Sequence, residues 1–251
     1  MPRHLKGTSI FFPADSMYNS SPLRRAVFWL HLRQEIYNAY LYQRSVDTDL
    51  SNCTFDSEND TGNDDMWFHQ TLYIAAQVTK WAFGQDTSHA RWYELRSMLD
   101  TWEGTRPASF DPIHFRTRDP HNDRFFPEVC YMTDEHVAAA HFFYMAKLLL
   151  TTHDPSLPRI GPRMKTAALK MQETALSHVR TLVGIAICNT WVPARFTANL
   201  AIMICDCWFT DRREQEAFLD FICETSRCSG WSRQNAERAL IEAWGWKEEH
   251  T

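Results

Sequence analysis

The chain of 251 residues is long enough for one large domain or two small ones, and 44% of it is hydrophobic and 14% aromatic. Its formal net charge of −5, without any basic run, argues against the positive surface that nucleic acids require. With only 8 glycines, the composition also disfavours glycine-rich phosphate loops and all-β folds, and favours helices.

Apolar side chains recur at helical spacing along most of the chain, and this pattern predicts an all-α fold. Five of the predicted helices cover residues 23–44, 65–83, 88–102, 134–152 and 162–189. Three more are predicted: one starts at Pro193, one includes residues 217–225 and one starts at Ser232. No strand is expected. We therefore predict that residues 1–251 form a single multi-helix domain of about eight packed helices with one long irregular segment.

Two segments interrupt the helical pattern. Residues 45–64 are predicted to form an acidic loop, since the stretch from Ser45 to Thr79 holds seven acidic residues and no Lys or Arg. The rest of the chain then has a formal charge of about +2 (−5 minus −7). We interpret this loop as a solvated connector, with an interaction or activation segment as the alternative. Residues 104–129 contain four prolines and predict an irregular segment that wraps a surface or lines a site.

Three predicted helices have recognisable start signals. Thr133 is an N-cap candidate, Pro193 fits a first helical turn, and Asp211 and Glu214 have capping-box spacing. The helix that starts at Pro193 is expected to place one set of side chains together on its apolar face: Phe196, Leu200, Met203, Ile204, Cys207 and Trp208.

The sequence contains no motif of a catalytic or metal centre. Neither G-x-S-x-G, nor a glycine-rich phosphate loop, nor HExxH occurs. Cys205 and Cys207 are two apart on a predicted helix, and His136 and His141 lie about 140° apart around theirs, so neither pair can hold one metal ion. We expect no catalytic, cofactor-binding or metal-binding residue, and a protein that is not an enzyme.

One charge stands out in the first predicted helix. The side chains three and four positions from Arg33 are Trp29, Leu30, Ile36 and Tyr37. An arginine on such a face needs a fixed acidic partner, and Glu128, embedded in FFPEVCYM, is the first candidate, with Asp206 as the second. We predict a buried or half-buried ion pair with a structural or regulatory role. The alternative is a ligand anion held by Arg33 in a helical cavity.

Five stretches of the chain, residues 28–46, 126–137, 155–162, 209–225 and 243–246, resemble in collinear order the fungal-specific transcription-factor domain. This domain is the helical regulatory region that follows the zinc binuclear-cluster (Zn2Cys6) DNA-binding module of fungal transcription factors. The resemblance runs from about His4 to Trp246. It implies a non-catalytic nuclear regulator that controls transcription through ligand or protein contacts and does not itself bind DNA.

The DNA-binding module of that family needs two C-x-x-C-x6-C clusters, which the seven cysteines here cannot form. The resemblance therefore implies that zinc belongs only to the missing module of full-length relatives, and that this chain holds no cofactor and contacts neither DNA nor membrane. It also allows a small-molecule effector of unknown identity.

The resemblance further implies that the chain is the C-terminal half of the regulatory domain. The first helix would then lack packing partners and leave Phe28, Trp29 and neighbouring residues partly exposed, so we expect self-association or binding to a full-length relative. The alternatives are a helical ligand-binding protein or scaffold with an aromatic-lined cavity, and a truncated, non-functional gene product.

Overall fold

The computed structural model describes residues 21–51, 53, 64–85, 88–229 and 234–246. Within these residues the chain forms eight α-helices: α1 Pro22–Tyr42, α2 Asp64–Ala82, α3 His89–Thr105, α4 Asp134–Thr152, α5 Met164–Cys188, α6 Val192–Ile204, α7 Arg212–Ser229 and α8 Gln234–Ala243. They pack around one hydrophobic core that draws on every helix. The all-α fold predicted from the sequence is confirmed.

Helix α4 lies at the centre of the fold. It packs against α2, α3, α5 and α6, and 13 of its 19 residues are buried. A helix that is apolar on all sides is stable only when other helices cover every side. Its start is fixed as predicted, because the Thr133 hydroxyl accepts a hydrogen bond from the backbone N–H of His136 at 3.4 Å.

Tryptophan side chains join the helices around α4. The indole N–H of Trp92, on α3, donates to the carbonyl of Leu150 on α4 at 3.0 Å. The indole N–H of Trp102, also on α3, donates to the carbonyl of Trp67 on α2 at 3.1 Å. Each ring therefore buries a large apolar surface while its one donor is satisfied, which fixes α3 against two neighbours at once.

The irregular segment contains two strands that the sequence analysis did not predict. Strand β1, His114–Arg116, pairs antiparallel with β2, Glu128–Cys130. Three residues are too few to show an alternating pattern, which explains why the prediction of no strand was wrong. Asn189, just after α5, holds β2 in place, because its side chain donates to the Val129 carbonyl at 2.9 Å and accepts from the Tyr131 N–H at 3.0 Å.

The buried face of α6 differs from the predicted one. Its buried residues are Ala194, Thr197, Ala198, Asn199, Ala201 and Ile202. The larger side chains predicted to share this face are only partly buried, and Cys207 is exposed because the chain leaves the helix at Cys205 and forms a 3-10 turn over Asp206–Trp208. Small residues face the core because α6 packs between α4, α5 and α7.

Gly184 of α5 lies directly against the backbone of the irregular segment. A Cβ atom at this position would lie 2.1 Å from the carbonyl oxygen of Pro127. We expect Gly184→Ala to lower the free energy of unfolding by about 3 kcal/mol, since neither backbone can move freely. Urea denaturation would measure this loss.

The control is Gly104→Ala in α3, where no atom beyond the local helix backbone lies within 4 Å of the added Cβ. This variant should leave stability unchanged or raise it by up to about 1 kcal/mol, because alanine favours a helix over glycine. Similar stabilities for the two variants would contradict the packing described for α5.

Candidate functional site

The structure does not bring Arg33 together with either of its predicted partners. Arg33 is half-exposed on α1, and within the described part of the chain no ion pair joins it to an acid. Glu128 instead pairs with His114 at 3.2 Å and Arg116 at 3.6 Å, and the hydrogen bond from His114 lowers the pKa of Glu128. Asp206 accepts a hydrogen bond from the next backbone N–H at 2.6 Å.

The buried charge on α1 is Glu35, which the sequence analysis did not single out. Its carboxylate accepts hydrogen bonds from the backbone N–H groups of Asp47 and Thr48 at 2.8 and 3.3 Å, and from the Thr48 hydroxyl. These bonds hold the chain after α1 against the helix. The sequence did contain a signal, because Phe28, Leu32 and Glu35 recur at the spacing of one helix face.

A buried ion pair of the kind predicted for Arg33 joins other residues. Arg180 on α5 binds Glu214 on α7 through two hydrogen bonds of 2.6 and 2.9 Å, and Glu214 is only 3% exposed. Arg118, from the irregular segment, lies 3.8 Å from the same carboxylate, and burial lowers the pKa of Arg118, with Arg180 as the second cause. The cluster ties α5, α7 and the irregular segment together.

The predicted capping box at the start of α7 is therefore only half formed. Asp211 accepts hydrogen bonds from the backbone N–H groups of Arg213 and Glu214 at 2.9 and 3.4 Å, as an N-cap does. The Glu214 side chain binds Arg180 and so does not return to the cap.

A small cavity opens between α3, α4 and the irregular segment. It has a volume of about 30 Å³, room for one or two water molecules, whereas ligand sites usually span about 300–1,000 Å³. Its charged side chains already have partners, since Glu103 binds Lys147 at 2.7 Å and Arg106 binds Asp111 at 2.8 Å. Arg33 does not line it. This cavity therefore gives no support to a small-molecule site built on Arg33.

The two histidines of α4 lie in different surroundings. His136 Nε2 is 2.9 Å from a carboxylate oxygen of Asp64, at the start of α2. His141 is fully buried beside Trp191, neither ring nitrogen has a hydrogen-bond partner among the described residues, and burial lowers the pKa of His141 to about 3. In the part of the chain that the structure covers, no three metal-ligating side chains cluster.

The outward side of α1 carries exposed apolar residues at heptad spacing. We call this surface the outer stripe, formed by Leu23, Val27, Leu30, Gln34, Tyr37 and Leu41. Four of these side chains are strongly exposed: Leu23 by 74%, Val27 by 41%, Leu30 by 57% and Leu41 by 44%. The positions alternate four and three apart, which is the pattern of a helix seam that packs against another helix.

The predicted exposure is wrong for Phe28, which is buried. Trp29 is partly buried, and its ring stacks on His69 of α2 at 4.3 Å with an angle of 9° between the planes. Their neighbours Val27 and Leu30 are exposed. The first helix does expose apolar surface as expected, but on the opposite side. Sequence reasoning missed the outer stripe because both sides of α1 are apolar.

Most of the predicted acidic loop lies outside the described residues, including 52 and 54–63. Its described end is structured, because Asp64 opens α2 and binds both His136 and the hydroxyl of Ser109, the latter at 2.9 Å. The described helices include none with the length and apolar character that a bilayer crossing would require.

Comparison with known proteins shows a distant relationship to a fungal transcription activator. The chain is 19% identical over 170 residues to the transcription activator AMTR1 of Alternaria alternata, which is 63% of this chain and 22% of that protein. The chain thus spans about a fifth of the length of this relative. No protein-family profile and no solved structure matches it.

Removal of one member of the Arg180–Glu214 pair alone should destabilise the fold more than removal of both. We expect Arg180→Met to lower the free energy of unfolding by about 3 kcal/mol, because it leaves a buried carboxylate with only Arg118 nearby. Adding Glu214→Gln should recover at least about 1 kcal/mol. Chemical denaturation of both variants tests this coupling.

An exposed pair gives the control. Asp100→Asn breaks the surface pair with Arg96 and should change stability by less than about 0.5 kcal/mol. Additive effects of Arg180→Met and Glu214→Gln would show that the two side chains are not coupled.

His141 should make the fold sensitive to acid. Its pKa is about 3 in the folded chain and about 6.5 when unfolded, so the unfolded state takes up a proton first as the pH falls below about 6.5. Its contribution to the loss of stability is about 2 kcal/mol at pH 5 relative to pH 8.

The variant His141→Leu should remove that share of the pH dependence, measured by urea denaturation at both pH values. The exposed His121→Gln is the control for loss of a histidine. A pH dependence that His141→Leu leaves unchanged would contradict a neutral, buried His141.

Proposed function

We propose that this chain is a regulatory region of a fungal transcription factor, which acts in the nucleus through protein contacts, without catalysis and without binding DNA itself. The similarity to a fungal transcription activator over 170 residues carries this proposal. The all-α fold and a net charge of −5 agree with a region that does not contact nucleic acid.

We place the chain, within this proposal, in the Zn2Cys6 class of fungal regulators. The five collinear stretches that resemble the fungal-specific domain support this assignment. Zinc would belong to the DNA-binding module of full-length relatives, because the cysteines of this chain are free thiols spread over several elements and lack the C-x-x-C spacing.

Two observations favour protein contacts over a small-molecule effector as the means of regulation. The cavity beside α3 holds no more than one or two waters, and its charged groups are paired. The outer stripe, by contrast, exposes four apolar side chains in a row interrupted by Gln34, and a second helix would cover them.

A recruitment assay tests the proposal. The full chain is fused to a heterologous DNA-binding domain in a filamentous fungus with a matching reporter gene. We expect reporter output to change several-fold relative to the DNA-binding domain alone, and a fusion to two tandem fluorescent proteins to accumulate in the nucleus.

Two variants that differ in their effect on stability test whether the assay depends on the folded chain. Gly184→Ala, which disturbs the packing of α5, should lose the effect, and Gly104→Ala should keep it. Unchanged reporter output together with a cytoplasmic fusion would refute the regulatory role.

A further inference from the structure

The outer stripe has the dimensions of a helix-binding surface. Helix α1 has 21 residues and is therefore about 30 Å long, so a strip one helix wide covers about 300 Å². The largest exposed apolar patch on a typical soluble monomer covers about 300–600 Å² and often has a function. The opposite side of α1 is occupied, since it packs on α2 and α6.

The exposed charges that α1 itself places beside the outer stripe have one sign. Arg24 is exposed at the N-terminal end of the helix on one flank of the stripe, and Arg33 is half-exposed in its middle on the other flank. The one acid of the helix, Glu35, is buried and already accepts three hydrogen bonds. The positive end of the helix dipole adds to the field of Arg24. The surface is thus apolar along its centre and cationic along its edges.

This charge pattern disfavours a second copy of the chain as the partner. In an antiparallel pair Leu23 would lie opposite Leu41, but the two Arg33 side chains would flank the same central layer. In a parallel pair the Arg24 side chains of both copies would lie at the same end. Either arrangement places like charges together, whereas a helix with acidic edges would pair with both arginines.

We propose that the outer stripe binds an acidic amphipathic helix of a partner protein, with apolar residues of that helix along the seam and its Glu or Asp side chains against Arg24 and Arg33. Gln34 is the polar position in the seam and would fix the register. This inference rests on the proposed function, because it names the chemistry of the protein contact through which the regulatory region acts.

The test uses the full chain and designed three-heptad peptides that carry a fluorophore. The acidic peptide has Leu at the seam positions and Glu at the flanking positions, and the basic peptide has Lys in place of Glu. We expect saturable binding of the acidic peptide by fluorescence anisotropy, weakened by salt, and binding of the basic peptide at least about tenfold weaker. The chain alone should sediment as a monomer.

Surface variants locate the binding. Val27→Gln with Leu30→Gln should weaken the acidic peptide about tenfold, and both positions are exposed, so the fold should persist by circular dichroism. Leu169→Gln, an exposed leucine on α5, is the matched control and should change nothing. The double variant Arg24→Glu with Arg33→Glu should switch the preference to the basic peptide.

Three outcomes would overturn the inference: equal binding of the two peptides, binding that the stripe variants leave unchanged, or a dimer of the chain that Leu30→Gln dissociates. The last would assign the stripe to a second copy. These results are separable from the recruitment assay, since a chain that regulates the reporter but ignores the acidic peptide defeats this inference alone.

Discussion

The burial of α4 on every side is the constraint on which the rest of the structure depends. A helix without a polar face cannot lie at a surface, so α2, α3, α5 and α6 must surround it. This burial also encloses two histidine side chains, whose polar ring nitrogens are accommodated in different ways. His136 reaches a carboxylate at the start of α2, whereas His141 is kept neutral by burial, with a pKa lowered to about 3.

On helix α1, a difference of two sequence positions determines whether a charged side chain is buried or exposed. Glu35 and Arg33 are two residues apart, so they point to nearly opposite sides of the axis. Glu35 enters the core and binds the backbone after the helix, while Arg33 stays at the edge of the outer stripe. The same geometry separates buried Phe28 from exposed Leu30. One side of this helix therefore belongs to the core, and the other side stays exposed.

The helices were predictable because periodicity and caps are local signals, as at Thr133 and Asp211. The partners of charged side chains were not, because Arg180 and Glu214 meet only when α5 packs on α7. The sequence analysis looked for an acid near Arg33 and selected Glu128, but the pairing of β1 with β2 places Glu128 against Arg116. The face of α6 was misjudged because small residues, and not large ones, fit the close contact with α4.

The cavity between α3, α4 and the irregular segment is of water size. The buried Arg180–Glu214 pair already satisfies its own charges. Helix α1, by contrast, has a side that the core does not use. Because the inner side of α1 packs on α2 and α6, a partner on the outer stripe would also favour the docked position of that helix. Partner binding and the stability of the fold would thus be linked through a single helix.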